Sequence, residues 1–188
     1  LAEAEDDQLH KLWEGLGYYN RARNLKEAAC RIMEKYDGRF PETYEEIRGL
    51  KGVGNYTAGA ISSFVYNIPK PAVDGNVLRV VSRITADDGD ITKASVKAKI
   101  ENEVEEVIPA EAAGDFNQSL IELGAIICVP NGEPRCGICP VKEICLAHME
   151  GRETEFPVKK KKKERRIEKR TVPVFRDNEK TAVRKRAG

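Results

Sequence analysis

Apolar side chains recur at helical spacing along most of this chain, whereas strand-like alternation is almost absent before residue 171. The repeat of Leu9, Leu12, Trp13 and Leu16 at positions i, i+3, i+4 and i+7 predicts an amphipathic helix over residues 6–16. Similar patterns predict six more helices, which cover 21–36, 43–50, 55–66, a segment starting near 74, 92–107 and about 111–127. We therefore expect an all-α fold for residues 1–150, with two lobes and a cleft between them.

Local signals mark the ends of several helices. The pair Thr43 and Glu46 forms a capping box at the start of the third helix, and Thr92 is expected to cap the sixth. Small residues in the fourth helix, TAGAISS, allow a neighbouring backbone to approach closely. The side chains expected to face inward are Ala22, Leu25, Ala29, Ile32 and Tyr36 in the second helix, Val77, Val80, Val81 and Ile84 in the fifth, and Phe116, Leu120, Leu123 and Ile127 in the seventh.

The length and hydrophobic content of the chain limit the kinds of protein it can be. A chain of 188 residues with 40% hydrophobic side chains can build one domain or two small lobes around a real core. No apolar run reaches the roughly 18 residues of a membrane span, and the acidic start LAEAEDDQLH lacks the apolar region of a signal peptide. We therefore expect neither a membrane protein nor a secreted one.

A strongly basic segment is hidden behind the net charge of +1. Residues 159–170 carry nine basic and two acidic side chains, so this segment holds +7 while the remainder of the chain sums to −6. One interpretation is a solvated linker. The other is electrostatic contact with a polyanion such as DNA, which would depend strongly on salt.

Four of the five cysteines lie within eighteen residues, in the pattern C-x7-C-x2-C-x5-C that joins Cys128, Cys136, Cys139 and Cys145. Clustered cysteines without a secretion signal favour a metal centre over disulfides. The single C-x2-C pair with wide flanking gaps favours a [4Fe–4S] cluster, while zinc and a disulfide network remain alternatives. Cys30 lies in a helical pattern and is interpreted as a small core residue.

A glycine-rich turn, LKGVG at 50–54, separates two predicted helices. Gly52 and Gly54 permit a tight turn that presents backbone N–H groups at the start of the following helix, beside the basic Lys51. Such a turn can bind a phosphate. It can also be a simple tight turn with no ligand.

Asp74 follows an extended, proline-containing segment and precedes the fifth predicted helix, in the sequence VDGNVLRV. Helix capping explains an aspartate there. Alternatively, its carboxylate stabilises a developing sugar cation, as carboxylates do in glycoside hydrolysis, and Asn76 orients it.

The segment GLGYYNRARN at 15–24 places two tyrosines and two arginines after a glycine turn. It can be a helix start with exposed arginines. It can also be a wedge for DNA, in which Tyr18 stacks beside a base and Arg21 contacts phosphate.

Together these motifs resemble the helix-hairpin-helix DNA glycosylases that carry an iron–sulfur cluster, and the resemblance covers about residues 1–150. LKGVGNYTAGAI is similar to the hairpin of that family, VDGNVLRV to its catalytic-aspartate segment, and the four cysteines to its cluster loop. Endonuclease III-type members carry a nucleophilic lysine where this chain has Tyr56. GLGYY, Tyr56 and the pair Gly75–Asn76 are similar instead to the MutY-type branch, whose members remove adenine mispaired with 8-oxoguanine.

The resemblance implies a role for each matching residue. Asp74 is expected to stabilise the oxocarbenium-like sugar or its covalent adduct, with Asn76 positioning it and Tyr56 lining the same pocket. Contacts with double-stranded DNA are expected from Lys51, Gly52, Val53, Gly54, Tyr18 and Arg21. The cluster ligands are expected to be Cys128, Cys136, Cys139 and Cys145. The resemblance also implies a monomer in the bacterial cytoplasm that acts on 8-oxoguanine:adenine or guanine:adenine mispairs.

The sequence departs from the family in two places. The first cysteine gap has seven residues where many members have six, which should not disturb ligation. The general-acid glutamate of the family, beside a Gln-Gln-Thr stretch, has no counterpart, and Glu3, Glu5 and Glu14 lie in other contexts. We therefore expect a chain truncated at both ends, inactive or nearly so by itself, because general acid assistance is typically worth about 10²–10⁴-fold.

The expected organisation has four parts: a helix-hairpin-helix lobe at 1–70, a cluster lobe with the catalytic aspartate at 71–150, a basic linker at 151–170, and the first strands of a Nudix-like domain at 171–188. A hairpin with its turn at Asp177–Asn178 is predicted within 171–186. Besides a zinc-binding structural protein, two other functions remain open. One is an endonuclease III-like glycosylase/lyase, and the other is a non-catalytic iron–sulfur module that binds DNA.

Overall fold

The computed structural model of the chain describes residues 1–160, 168–169, 174 and 176–182. In these residues the α-helices are α1 (Asp6–Leu12), α2 (Asn20–Tyr36), α3 (Tyr44–Arg48), α4 (Asn55–Tyr66), α5 (Gly75–Ile84), α6 (Ala94–Val107), α7 (Ala113–Glu122) and α8 (Leu146–Met149). A π-helical turn, Leu123–Ile127, extends α7, and two 3₁₀ turns, Cys136–Ile138 and Lys142–Ile144, lie in the cysteine loop. None of the described helices is long and apolar enough to cross a membrane.

Capping fixes two of the helix starts as predicted. At α3 the backbone N–H of Glu46 donates to the hydroxyl of Thr43, and that hydroxyl donates to the Glu46 carboxylate over 2.9 Å. At α5 the cap is Asp74. The bounds of α4 coincide with the predicted 55–66, so local signals determine this part of the fold.

Three predicted helices have different limits. The first ends at Leu12 rather than at 16. Thr92 does not cap the sixth, because its N–H and hydroxyl bind the carboxylate of Asp90 and the helix begins two residues later. The seventh is not one α-helix over 111–127, because its last turn is π-helical.

The main hydrophobic core lies between α5, α6 and α7. Its buried members are Val73, Val77, Leu78, Val81, Ile91, Ile100, Val104, Ile108 and Ala113, with Phe116 and Leu120 packed against them. A second, smaller cluster joins Cys145, Ala147 and Phe156 to the end of α5, where Ile84 contacts it. The inward face predicted for the fifth helix is confirmed, since Val77, Val80 and Val81 are all buried.

The inward face predicted for the second helix is partly confirmed, since Ala29, Ile32 and Tyr36 are half-buried, whereas the apolar stripe of the first helix is mostly exposed. Leu9 and Ala22 are buried, but Leu12 is 85% exposed, Leu16 64% and Leu25 48%. In the described part of the chain no element packs over this side. Leu25 lines an open apolar groove of about 390 Å³ between α2 and the turn before α4.

Small residues allow close packing where α4 meets the segment that leads to α5. A Cβ atom added to Gly59 would lie 1.9 Å from the carbonyl oxygen of Pro71, and one added to Gly114 would lie 2.9 Å from that of Ser63. These glycines therefore let α4 approach both the extended segment and α7. The prediction of a close backbone approach along TAGAISS is confirmed at Gly59.

A short antiparallel hairpin pairs β1 (Arg176–Asp177) with β2 (Lys180–Thr181). Its turn consists of Asn178, which has a φ of 50°, and Glu179, so it lies one residue later than predicted. A left-handed residue at the first turn position is typical of two-residue hairpin loops. The remainder of the predicted 171–186 hairpin, apart from residues 174 and 182, lies outside the described residues.

Candidate active site and cysteine pocket

The carboxylate of Asp74 is held by three N–H groups at the start of α5. Its Oδ1 atom accepts hydrogen bonds from the backbone N–H groups of Asn76, over 2.8 Å, and Val77, over 2.9 Å. Its Oδ2 atom accepts one from the side-chain amide of Asn76 over 2.9 Å. The predicted cap and the predicted orienting role of Asn76 therefore occur in the same contacts.

A buried arginine extends this contact to the cysteine loop. Arg79 donates one hydrogen bond to the side-chain oxygen of Asn76, over 2.9 Å, and others to the carbonyl oxygens of Gly124 and Cys128, both over 2.7 Å. Burial lowers the pKa of the Arg79 guanidinium, while the nearby thiol of Cys128 opposes that shift. A continuous hydrogen-bonded chain thus runs from the Asp74 carboxylate to the first cysteine.

The π-helical turn supplies one of the carbonyl acceptors in this hydrogen-bonded network. A π-turn leaves backbone carbonyls free to bind outside the helix, and such turns are frequent at functional sites. Gly124 lies in this turn, and a Cβ atom there would come within 2.6 Å of the Cβ of Asn76. Gly124 is therefore needed for the close approach of the two segments.

The extended segment before Asp74 is fixed by Asn117, which is fully buried on α7. Its side-chain oxygen accepts from the N–H of Ala72 over 2.9 Å, and its amide donates to the carbonyl of Lys70 over 2.9 Å. Both groups would otherwise lack partners in a strandless segment. Asn117 therefore ties the segment that carries Asp74 to the core.

The two glycines of the turn differ, because Gly52 has a positive φ and a close neighbour, whereas Gly54 has neither. Gly52 has a φ of 79°, and a Cβ atom there would lie 2.7 Å from the Cβ of Asn24. Gly54 has a φ of −93° and nothing within 4 Å of such an atom. No side chain caps the N-terminus of α4, so its first N–H groups are available to an anion.

Neighbouring side chains brace this turn. Lys51 forms an ion pair with Glu27 on α2 over 3.2 Å. Arg48 donates to the carbonyl of Val53 over 3.1 Å and to the side chain of Asn55 over 2.7 Å. The turn is therefore held from both sides while its outer edge stays open.

Tyr56 lies on the first turn of α4 and is 42% exposed. No hydrogen bond among the described residues joins it to Asp74. Tyr18 is 83% exposed and has a φ of 47°, a rare conformation for a non-glycine residue. An exposed ring in a strained backbone is typical of functional sites.

The loop that carries Tyr18 is anchored by Trp13. The indole N–H of Trp13 donates to the carbonyl of Gly17 over 2.8 Å, and the guanidinium of Arg21 lies 5.8 Å from the indole ring. Arg21 also lines the groove that Lys51, Gly52 and Val53 border. The structure thus brings Arg21 and the glycine turn together.

The four clustered cysteines line one pocket and are all free thiols. Arg83 donates to the sulfur of Cys128 over 3.2 Å, and the thiol of Cys145 donates to the carbonyl of Arg83 over 3.4 Å. Burial first, and then the charge of Glu153, raise the pKa of Cys136 to about 11. A bound cation would favour the thiolate form of Cys136, because cysteine binds a metal ion in its deprotonated form.

The spacing of the sulfurs bears on the type of metal centre. Among the described residues, no three of these thiols lie within 4.8 Å of one another. A single tetrahedral zinc ion would need its sulfurs about 3.8 Å apart, given Zn–S bonds of about 2.3 Å. A four-iron cube binds each thiolate to a different iron, so it fits the wider arrangement better.

Sequence reasoning missed Arg79, Arg83, Gly124 and Asn117. The two arginines did give a signal, because they lie four residues apart in a helix whose other buried residues are mostly valines. Charged residues are almost never fully buried unless they have partners. Gly124 and Asn117 gave no comparable signal, since their partners are distant in sequence.

Comparison with known proteins places the chain among DNA repair proteins. Residues 1–106 match the HhH-GPD superfamily of base excision DNA repair proteins. The adenine DNA glycosylase of Buchnera aphidicola is 41% identical over 163 residues, which is 87% of this chain and 46% of that protein. That of Schizosaccharomyces pombe is 43% identical over 151 residues, 79% of this chain and 32% of that protein. The chain thus spans less than half the length of these relatives.

Solved structures agree with this assignment. A thermostable thymine-DNA glycosylase superposes with a TM-score of 0.70 at 27% identity, covering 79% of this chain and 68% of that one. Endonuclease III in a non-covalent DNA complex gives 0.66 at 27% identity, covering 80% and 68%. The expected helical fold and the expected resemblance to adenine DNA glycosylases are confirmed. The chain belongs to the HhH-GPD superfamily of base excision DNA repair proteins.

Proposed function

We propose that the protein is an adenine DNA glycosylase of base excision repair, which hydrolyses the N-glycosidic bond of adenine mispaired with 8-oxoguanine or guanine. The observation that carries this proposal is the Asp74 carboxylate, held by three N–H groups. It lies in a chain whose relatives from Buchnera aphidicola and Schizosaccharomyces pombe are adenine DNA glycosylases.

In the proposed reaction the bond from the sugar carbon to adenine breaks and its electron pair leaves with the base. The positive charge that develops on the sugar is stabilised by the carboxylate of Asp74, directly or as a covalent adduct. Asn76 keeps the carboxylate oriented, so little reorganisation is needed in the transition state. Water then adds to the sugar carbon and loses a proton, and the departing adenine gains one, so that a sugar hydroxyl and neutral adenine result.

Double-stranded DNA is the proposed partner. A phosphate would bind the N–H groups at the start of α4, beside Lys51, Gly52, Val53 and Gly54. Tyr18 would wedge beside the base opposite the extruded adenine, and Arg21 would take a phosphate. Extruding a base costs a few kcal/mol and costs least at a mispair, which fits a mismatched substrate.

A lyase reaction of the endonuclease III type is less consistent with the residues. It requires a lysine that forms a Schiff base, and the resemblance puts Tyr56 at that position. A phenol cannot form a Schiff base. Borohydride is therefore expected to trap no covalent protein–DNA product, and a trapped product would favour the lyase.

We propose that Cys128, Cys136, Cys139 and Cys145 hold a [4Fe–4S] cluster. The common pocket and the wide sulfur spacing support this assignment over a single zinc ion. When bound, the cluster would supply a redox-capable anchor for the cysteine loop. Arg83 would hold that loop against α5 through the sulfur of Cys128. After reconstitution with iron and sulfide in the absence of zinc, a brown protein with iron and sulfide in equal amounts is expected, and failure to take up both under these conditions would contradict the assignment.

The domain division remains part of the proposal. The hairpin lobe would comprise 1–70 and the cluster lobe 71–150, with Asp74 near their boundary. The basic run 159–170 of the proposed linker 151–170 would contact the DNA polyanion, and 171–188 would open a Nudix-like domain. We further propose that the protein acts as a monomer in the bacterial cytoplasm.

Binding to short duplexes tests the proposal. Wild-type protein is expected to bind 8-oxoguanine:adenine duplexes more tightly than matched ones. Gly54→Ala should leave the fold intact, because the added methyl meets nothing within 4 Å, but should weaken binding to every duplex by blocking a phosphate. Tyr18→Ala should reduce the preference for the mispair instead. Equal affinity of the wild type for mispaired and matched duplexes would overturn the proposal.

Release of adenine separates the enzyme from a non-catalytic DNA-binding module. Single-turnover assays with protein in excess detect slow release, which is the expected case for these 188 residues. Asp74→Asn should keep the helix cap and DNA affinity but abolish any release. Release that survives this substitution would remove Asp74 from the mechanism.

A further inference from the structure

Three different metal-binding groups converge at one corner of the cysteine pocket. The ligand atoms of Cys136, His148 and Glu153 all lie within 4.8 Å of one another, and no other such group occurs in the part of the chain that the structure describes. His148 lies on α8, and its Nδ1 atom is 2.6 Å from a carboxylate oxygen of Glu153. The three residues lie up to seventeen positions apart in the sequence, and the fold brings their side chains together.

We propose that Cys136, His148 and Glu153 form a site for a single divalent transition-metal ion, above all zinc, in protein that has not received its iron–sulfur cluster. Thiolate, imidazole and carboxylate are the three kinds of side chain that bind zinc. In a tetrahedral site these ligand atoms stand about 3.3–3.8 Å apart. The 2.6 Å contact between His148 and Glu153 would therefore open by about 0.7 Å, and the remaining pairs, all within 4.8 Å, would close by no more than about 1.3 Å to coordinate one ion.

Charge favours this site over one made from cysteines alone. One thiolate and one carboxylate neutralise a divalent ion, whereas four thiolates around it leave two uncompensated negative charges in a partly buried pocket. The neighbouring glutamates of the segment are otherwise engaged, because Arg152 holds Glu150 over 2.9 Å and Glu155 over 2.8 Å. Glu153 instead pairs with His148 and lines the pocket beside the thiol of Cys136.

The site shares Cys136 with the proposed cluster, so the two cannot be occupied together. Zinc bound by Cys136, His148 and Glu153 would remove one of the four cluster ligands. The inference is therefore that zinc competes with cluster assembly through two residues that the cluster itself does not use. The competition depends on the proposed cluster, whereas the binding of a single ion by the three residues does not.

Cobalt titration of the cluster-free 188-residue protein, under anaerobic and reducing conditions, tests the site. Co²⁺ reports tetrahedral coordination by its visible bands, and the intensity of its sulfur charge-transfer band reports the number of bound thiolates. The wild type is expected to bind Co²⁺ with one thiolate. His148→Ala and Glu153→Gln should each weaken binding about tenfold or more. The matched control Glu143→Gln, which removes an exposed carboxylate of the same loop, should bind like the wild type.

A cysteine variant distinguishes the two possible ligand sets. Cys128→Ser leaves the proposed trio intact and is expected to keep the wild-type affinity for Co²⁺, whereas a four-cysteine site would lose affinity. The inference is overturned if the wild type binds no Co²⁺ or binds with four thiolates. It is also overturned if His148→Ala and Glu153→Gln bind as tightly as the wild type.

Reconstitution with iron and sulfide tests the competition separately. Zinc added beforehand should lower the iron content of the wild type and have much less effect on Glu153→Gln. Equal inhibition of both proteins would contradict a role for Glu153. If no iron-containing product forms even without zinc, the cluster proposal fails, while the cobalt result still decides on the site.

Discussion

Replacing Arg79 with methionine would remove the guanidinium that joins the Asp74 loop to the cysteine loop. The side chain is 6% exposed and donates four hydrogen bonds, of which three are 2.9 Å or shorter. Methionine fills a similar volume without any donor. The oxygens of Asn76, Gly124 and Cys128 would then be left without this partner in a partly buried region.

The expected cost is about 3–5 kcal/mol. Hydrogen bonds from a charged donor are worth about 1.5–3 kcal/mol each, so a simple sum would exceed this value. Part of that sum is offset, because burying a guanidinium costs several kcal/mol, as the lowered pKa of Arg79 indicates. Typical domains have about 5–15 kcal/mol of stability, so the variant should remain folded but with a much smaller margin.

Urea unfolding measures this loss. With an m-value of about 2 kcal/mol/M, the midpoint should fall by about 2 M with little change in m. Arg39→Met is the matched control, because Arg39 is exposed, and its midpoint should stay within about 0.3 M of the wild type. An equally small shift for Arg79→Met would refute the claim that this arginine ties the two loops together.

Three further substitutions test other parts of the site. Asn117→Ala should lower the free energy of unfolding by about 2–4 kcal/mol in urea, because it removes two buried hydrogen bonds and one partly buried one. Gly75→Ala should raise the free energy of thermal unfolding by about 0.5–1 kcal/mol, because Gly75 begins α5 and the added methyl meets nothing within 4 Å. The same methyl would stand beside Asp74, so adenine release should be slower. Asp87→Asn should lose stability at neutral pH. The Lys99 ammonium and a backbone N–H lower the pKa of Asp87 below 3.8, so its contribution is present above that pH and is lost on acidification. The gap in urea midpoint between wild type and Asp87→Asn should narrow below pH 3.8, and a gap independent of pH would contradict this reasoning.

The features that could be predicted from sequence depend on neighbours along the chain. The bounds of α4, the capping box at Thr43 and the cap at Asp74 each involve residues within four positions of one another. Short-range hydrogen bonds and helical periodicity determine such features almost alone. The pocket shared by the four cysteines was also predictable, since their clustering leaves few other arrangements.

The features that could not be predicted depend on distant partners. Arg79 meets Gly124 and Cys128 more than forty positions later, and no local pattern marks either contact. Periodicity predicts an apolar stripe on α1, but Leu12 is exposed. Burial depends on what packs against a helix and not on the periodicity of the helix alone. The sequence pattern predicts an α-helical last turn for the seventh helix, because nothing in the sequence alone distinguishes a π-helical turn from an α-helical one.

The two interpretations of Asp74, helix cap and catalytic group, turn out to be compatible. A carboxylate has about four lone-pair positions. Capping uses Oδ1, which accepts both backbone N–H groups, whereas Oδ2 accepts only the Asn76 amide among the described residues. One oxygen thus anchors the group to the positive end of α5 while the other keeps a position for a substrate. Arg79 on α5 bonds both Asn76 and the carbonyl of Cys128, so the direction of that free position is coupled to the start of the cysteine loop. The cap is therefore the means by which the carboxylate that we propose to be catalytic is held in place.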